Sequence, residues 1–335
     1  MVILASRTKV LTDFRYRRLH KDYATLALRL IHKDTEHLKG SVMLQIELDI
    51  YSGMPNPTWI LTDTEERALL DRIMAKPELM LAPDQSPSVL GYRGMVVSLV
   101  KEDEGAWSRT ALASGTRLPQ TFRIGGLSKE SIETSSWMLA TSEKPETSVD
   151  DFLREVAQTG INTITLDSAV VEESGAQLTG AGMCCSSTYL SMNAPAFNLS
   201  SYVRTSNCYC FAANHRGGGR YATPGKRGKY TIRDYSLSEL RTGLAKDGWK
   251  ESCMTRNLQI ALVVWPIKGG YRDFHFYRLV RTSPYLWGHK PGETNAKYTD
   301  NSGKDIASPE TCNRGSYTSF YGYWYQDNNT AFVSA

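Results

Sequence analysis

Three residues in the second half of the chain have the types and order of a thiol hydrolase: Cys208, His275 and His289. Such an enzyme needs a thiolate, a base that generates it and a polar group that orients the base. Asn207-Cys208 opens a predicted helix over 208–214, and a thiol at a helix start gains from the free N–H groups there. His275 lies in the strand-like stretch Asp273-Phe274-His275-Phe276-Tyr277, and His289 ends the next stretch, Tyr285–His289. The expected roles are Cys208 as nucleophile, His275 as base and His289 as orienter. Asp273 is the alternative orienter, read as pointing to the opposite face of its strand from His275. Asn207 and Tyr209 are the weaker oxyanion and wall candidates. Against this stands an equally simple structural reading: a buried thiol and two core histidines.

Other chemistry is thinly represented. The remaining cysteines are Cys184, Cys185, Cys210, Cys253 and Cys312. None forms a C-x-x-C pair, and Cys208-x-Cys210 is a poor zinc spacing, so no metal and no cofactor is expected. His215-Arg216-Gly217-Gly218-Gly219-Arg220 lacks the Gly-Lys-Ser/Thr ending of a phosphate loop and reads as a surface loop. Asn198-Leu199-Ser200 and Asn328-Asn329-Thr330 match the glycosylation pattern, a short motif that arises often by chance.

The elements that must position these residues follow from local pattern. Leu44, Ile46, Leu48 and Ile50 alternate with polar residues, as in a half-buried strand. Ser52-Gly53-Met54-Pro55-Asn56-Pro57 is a turn cluster. Trp59–Leu61 is extended, and Thr62 with Glu65 forms a capping box before a helix that Pro77 ends. Gly94–Val100 and Gln120–Ile124 read as strands, and Ser148–Gln158 as a helix closed by Gly160. Further on, Ser236 with Glu239 caps a helix that Gly248 stops. Ile260–Trp265 is a continuously apolar, buried strand, Asp273–Val280 a second, and Tyr317–Tyr325 a last, aromatic one. The expected fold is α+β. A basic N-terminal arm (1–41) precedes a small α+β domain (42–165), a linker or wrap (166–197) and a helix-plus-antiparallel-sheet domain (198–335).

The order helix with Cys208, strand, strand with His275, strand with His289 resembles papain-like hydrolases of the NlpC/P60 type, over about 120 residues. That resemblance implies an amide-cleaving hydrolase or transferase with a peptide or peptidoglycan-like substrate. A more specific resemblance is to a set of mostly secreted proteins. It is carried by Asn207-Cys208-Tyr209-Cys210-Phe211-Ala212, Phe274-His275-Phe276-Tyr277-Arg278, Trp287-Gly288-His289-Lys290-Pro291-Gly292, Asp300-Asn301-Ser302-Gly303 and Arg314-Gly315-Ser316-Tyr317-Thr318-Ser319-Phe320. Asp49–Pro57 also looks like a phrase of such proteins. Some of them are named for insoluble shell or extracellular matrix, which implies an extracellular setting and a rival reading: a self-assembling structural protein with an idle triad. Cys210 and Cys312 depart from that pattern, and a disulfide between them is the expectation those two departures raise.

Bulk composition narrows the partners. Hydrophobic residues make up 41% and charged residues 22% of the 335, an ordinary globular balance. Residues 1–40 hold nine Lys or Arg against four Asp or Glu, a surplus of five in a chain whose net charge is +4. The basic excess therefore lies in a terminal segment, which argues against nucleic acid as the main partner. Homo-oligomerisation through the N-terminal arm and the aromatic last strand is the expected alternative. No apolar run approaches the roughly 18–20 residues of a membrane span. The cations that follow Met1–Ala5 reverse the order of a secretory signal.

Overall fold

The computed structural model describes residues 43–83, 85–100, 118–126, 128–163, 189–253, 256–268 and 270–335. The basic arm of 1–41, the stretch 166–188, Cys184 and Cys185 lie outside them. Contacts divide the chain into two compact units. The first comprises 1–48, 57–85 and 94–167, and the second 49–56, 86–93 and 168–335. Two short strips, 49–56 and 86–93, which sequence reading grouped with the first half, therefore belong to the second unit.

In the first unit, strands β1 (Met43–Leu48), β2 (Thr58–Ile60), β3 (Met95–Val100) and β4 (Thr121–Ile124) form an antiparallel sheet in the order β2-β1-β3-β4. The alternation in β1 does what it predicts: Leu44, Ile46 and Leu48 are fully buried while their neighbours are half-buried. Helix α1 (Asp63–Ala75) starts at the expected capping box, with Glu65 N–H donating to Thr62 Oγ1 and Thr62 N–H to Glu65 Oε2. Helix α2 (Lys129–Ala140) was not expected; Ser128 caps it by accepting from Ser131 N–H. Helix α3 (Asp151–Thr163) runs through Gly160, which sequence reading had as its end. Leu153, Ala157 and Ile161 bury one face there, and that stripe outweighs the roughly 1 kcal/mol a helical glycine costs.

In the second unit, short helices α4 (Ala194–Phe197), α5 (Ser200–Val203) and α6 (Cys208–Ala212) precede α7 (Leu237–Lys246). Strands β5 (Asn257–Ile267), β6 (Gly270–Thr282), β7 (Tyr285–His289) and β8 (Ser319–Asp327) form an antiparallel sheet in the order β7-β6-β5-β8. The unit is thus helices plus an antiparallel sheet. Residues opposite one another in an antiparallel pair share a face. Leu262 opposes Phe276 and Val264 opposes Phe274 on one face; Val263 opposes His275 and Trp265 opposes Asp273 on the other. The first face carries the main apolar core, including Cys208, Phe211, Leu240 and Trp249. The second carries the polar group described next. No helix among the described residues is long and apolar enough to cross a membrane.

Candidate functional site

Strand β6 places Asp273, His275 and Tyr277 on one face, since side chains two apart point the same way. Asp273 therefore shares the face of His275, contrary to the sequence reading. Both touch the strip 49–56. Ser52 N–H donates to Asp273 Oδ2 (2.6 Å), Gly53 N–H donates to the same carboxylate (3.1 and 3.2 Å), and Tyr317 O–H donates to it at 2.5 Å. Ser52 Oγ lies 2.6 Å from His275 Nδ1. His275 Nε2 lies 2.9 Å from His289 Nδ1, and His289 Nε2 lies 3.0 Å from the Thr299 carbonyl.

The carbonyl end fixes the direction of this chain. Thr299 O can only accept, so His289 donates from Nε2. Neutral His289 then accepts at Nδ1, which makes His275 the donor at Nε2. Neutral His275 accepts at Nδ1, and Ser52 O–H donates to it. Ser52 Oγ keeps a lone pair for Gly292 N–H at 3.2 Å. Every polar group in the row is matched when both imidazoles are neutral. Burial supports that state: it pushes His275 well below its ordinary value and His289 down to about 3. Asp273 is raised to about 6 by burial, with its hydrogen bonds pulling back.

The structure joins His275 to His289 directly, while Cys208 meets the same group through Ser52. Cys208 sits in the apolar core with Phe274 and Phe276, whose side chains occupy the face opposite His275. Its sulfur lies 3.7 Å from Ser52 O and 4.0 Å from Phe274 O. Both nitrogens of His275 are engaged elsewhere, by Ser52 and His289. Burial, followed by the nearby Asp273 carboxylate, pushes the Cys208 thiol up to about 12. That is the reverse of what an activated thiol needs, and a five-residue helix does not offset it. Asn207, the oxyanion candidate, serves as the cap of α6: its Oδ1 accepts from Cys210 N–H and its Nδ2 donates to Ala222 O. Tyr209, the wall candidate, donates to Asp247.

The second-unit strips supply what sequence reading missed. Fully buried Arg93 pairs with Asp49 through Nε (3.0 Å) and Nη2 (2.5 Å), and also donates to Tyr51 O and Gly91 O. Lys290, equally buried, donates from Nζ to Val203 O, Ser206 O and Gly292 O, each at 2.6 Å. Ser52, Asp49 and Arg93 thus hold one polar layer with His275 and Asp273. The signal for Asp49 and Ser52 was the phrase Asp49–Pro57, of which Ser52–Pro57 reads as a turn cluster; nothing in the sequence marks Arg93.

Cysteine pairing also differs from expectation. Cys210 and Cys312 are both free; Cys210 Sγ faces Gly219 O and Cys312 Sγ faces Pro309 O. Their proposed disulfide is absent because they are held at separate places. Cys253 is disulfide-bonded. Among the described residues no group of His, Cys, Asp and Glu has the makings of a metal site.

No family model matches the chain. Over 146 residues of its C-terminal part it is 34% identical to insoluble matrix shell protein 1 of Ruditapes philippinarum, covering 43% of this chain and 92% of that protein. The chain belongs to the family of that shell protein. No solved structure matches it significantly. For a member of this shell-protein family, the buried state of Cys208, His275 and His289 predicts a chemical result. Under native conditions at pH 8, iodoacetamide should label Cys208 about a thousandfold more slowly than free cysteine, because the thiolate fraction scales with the raised pKa. Half-exposed Cys312 should be labelled before Cys208 and Cys210. Peptide mass mapping over time reads both, and labelling of Cys208 at the free-cysteine rate would restore it as a nucleophile.

Proposed function

We propose that this is a structural, self-assembling protein of an extracellular matrix, and that the Cys208, His275 and His289 group is an internal brace. The observation that carries this reading is the closed hydrogen-bond row from Ser52 to Thr299. It leaves neither imidazole a free nitrogen, and all three residues are fully buried. Membership in the shell-protein family supports the matrix setting, as does the name of the relative. The papain-like, NlpC/P60-type reading rests on the order of elements and on residue types. The high pKa of Cys208 and the occupation of both His275 nitrogens by Ser52 and His289 speak against a working cysteine hydrolase.

The brace has a physical rationale. Ser52, Asp273, His275 and Gly292 tie loops that are distant in sequence to the face of β6, so the loops keep one conformation. Among the described residues strand β8 lies at an edge of the sheet, and Lys250 bridges to it at Tyr325. Its half-exposed Phe320 and Tyr323 offer aromatic surface for a neighbouring copy. Light scattering across a concentration series in moderate salt should show mass rising with concentration. A strictly monomeric protein at every concentration would sink the assembly reading.

A further inference from the structure

Residues 205–233 contain six basic residues and no Asp or Glu, in a chain with 39 basic and 35 acidic residues overall. This local surplus is distinct from the one at the N-terminus. Arg220 pairs with Glu293, and Arg233 pairs with Glu239. Arg216, Lys226, Arg227 and Lys229 are exposed and make no ion pair with any described residue.

The structure gathers these cations and adds one. Gly228 stands against the end of α7, where a Cβ on it would come within 2.8 Å of Lys246 Cβ. Lys246, exposed and also without an ion pair, therefore joins Arg227 and Lys229 at one place. The turn that carries them is rigid. Gly225 N–H and Gly228 N–H donate to the two oxygens of Asp247 at 2.8 Å each, Tyr209 O–H donates to the same carboxylate, and Tyr230 N–H closes onto Gly225 O. Asp247 is thereby spent on the backbone beneath the turn and is itself buried. Beside it lies Phe332, 41% exposed, with Arg227 over its ring at 5.3 Å and the His215 ring perpendicular to it, centroids 5.0 Å apart. Arg216, next to His215, lies over Tyr202.

We propose that this stripe, from Arg216 past Phe332 to Lys226, Arg227, Lys229 and Lys246, binds an anionic polysaccharide. Spaced cations on a fixed turn suit a linear polymer with a sulfate or carboxylate on successive rings, since each contact releases a condensed counterion. A flat exposed ring between the cations suits the C–H face of a sugar. A single-stranded nucleic acid would call for a row of exposed aromatic platforms, and a lipid surface for an exposed apolar helix face. The stripe has one exposed ring and no such helix among the described residues. The inference names a partner class for the matrix reading and rests on it for the setting alone.

The test is fluorescence anisotropy of the full chain with labelled heparin across a salt series. Binding is expected at low salt. The K226Q/R227Q/K229Q/K246Q variant should lose at least about tenfold in affinity, with the slope of log affinity against log salt falling by about three to four. The R67Q/K129Q control, which neutralises two exposed cations of the first unit, should leave affinity within about twofold. Phe332→Ala should weaken heparin while leaving the salt slope unchanged. Hyaluronan in place of heparin separates carboxylate from sulfate recognition. Failure of heparin and hyaluronan alike to bind, equal loss in the control, or single-stranded DNA bound as tightly at equal charge would each overturn the proposal. Binding that survives in a strictly monomeric protein would uphold it and remove only the assembly reading.

Discussion

Replacing Arg93 with Met should lower the unfolding free energy of the second unit by about 3–5 kcal/mol, the range seen when one partner of a buried ion pair is removed. Arg93 is fully buried and serves several acceptors at once: the Asp49 carboxylate and the carbonyls of Tyr51 and Gly91. Met fills similar volume, so the loss reflects charge and hydrogen bonding more than a cavity. The Asp49 carboxylate stays buried without this cation, and two carbonyls lose a donor. In an Asp49→Asn background the same substitution should cost distinctly less, about 1–3 kcal/mol, because no charge is left stranded. Denaturant titration followed by tryptophan emission reads this, since Trp265 packs 6.0 Å from the Tyr51 ring. Equal losses in both backgrounds would show that the pair is not what holds the strip. A loosened strip also uncovers Ser52, so R93M should speed alkylation of Cys208.

The second large effect is acid sensitivity, and its sign follows from the two histidines. In the folded protein His275 and His289 are neutral, held below the ordinary value of about 6.5 by burial, with the Arg93 and Lys297 charges opposing protonation of His275 and Lys297 that of His289. The unfolded chain takes up two protons there as pH falls through 6.5 and the native state does not, so stability falls. Asp273 works the other way. Its native value near 6 exceeds the unfolded value near 3.9, so between those limits the native state binds the extra proton. Two protons against one leave a net loss of about 3 kcal/mol between pH 6.5 and 4.5 at about 1.4 kcal/mol per unit. Asp273→Asn removes the opposing contribution and should enlarge the loss to about 5 kcal/mol. Imidazole NMR signals of both histidines should stay at their neutral positions down to about pH 4.5 in the folded protein. Titration of either near 6.5 while the fold persists would refute the closed row.

How much of this was readable in sequence divides along range. Local pattern located β1, the capping box of α1, the buried run in β5, and β7 to the residue, because each is set by neighbours within a few positions. It also placed His275 and His289 on adjacent strands, where register pairs Tyr277 with His289. It missed α2, whose cap at Ser128 is weakly marked, and it stopped α3 at a glycine that packing tolerates. The site failed at its non-local half. Ser52 meets His275 across 223 positions, and no periodicity in either segment announces that pairing. Asp273 was put on the wrong face although the two-residue period of a strand sufficed to place it with His275. Element order alone suggested that Cys208 pairs with His275, whereas Ser52, from a distant strip, takes up His275 Nδ1.

The strips 49–56 and 86–93 have a consequence for how this protein is cut and inherited. The chain passes between the two units at 48/49, 56/57, 85/86, 93/94 and 167/168. No single break in the polypeptide therefore releases the second unit whole. A fragment beginning near residue 198 would leave behind Asp49, Ser52 and Arg93, and with them the Ser52 and Gly53 contacts of Asp273 and the Ser52 contact of His275. A protease nick in the segment between the strips leaves all three anchored, so the nicked protein should run as one particle until denatured. Recombination that shuffles the C-terminal half must carry a replacement for Asp49–Asn56 or supply it as a separate peptide.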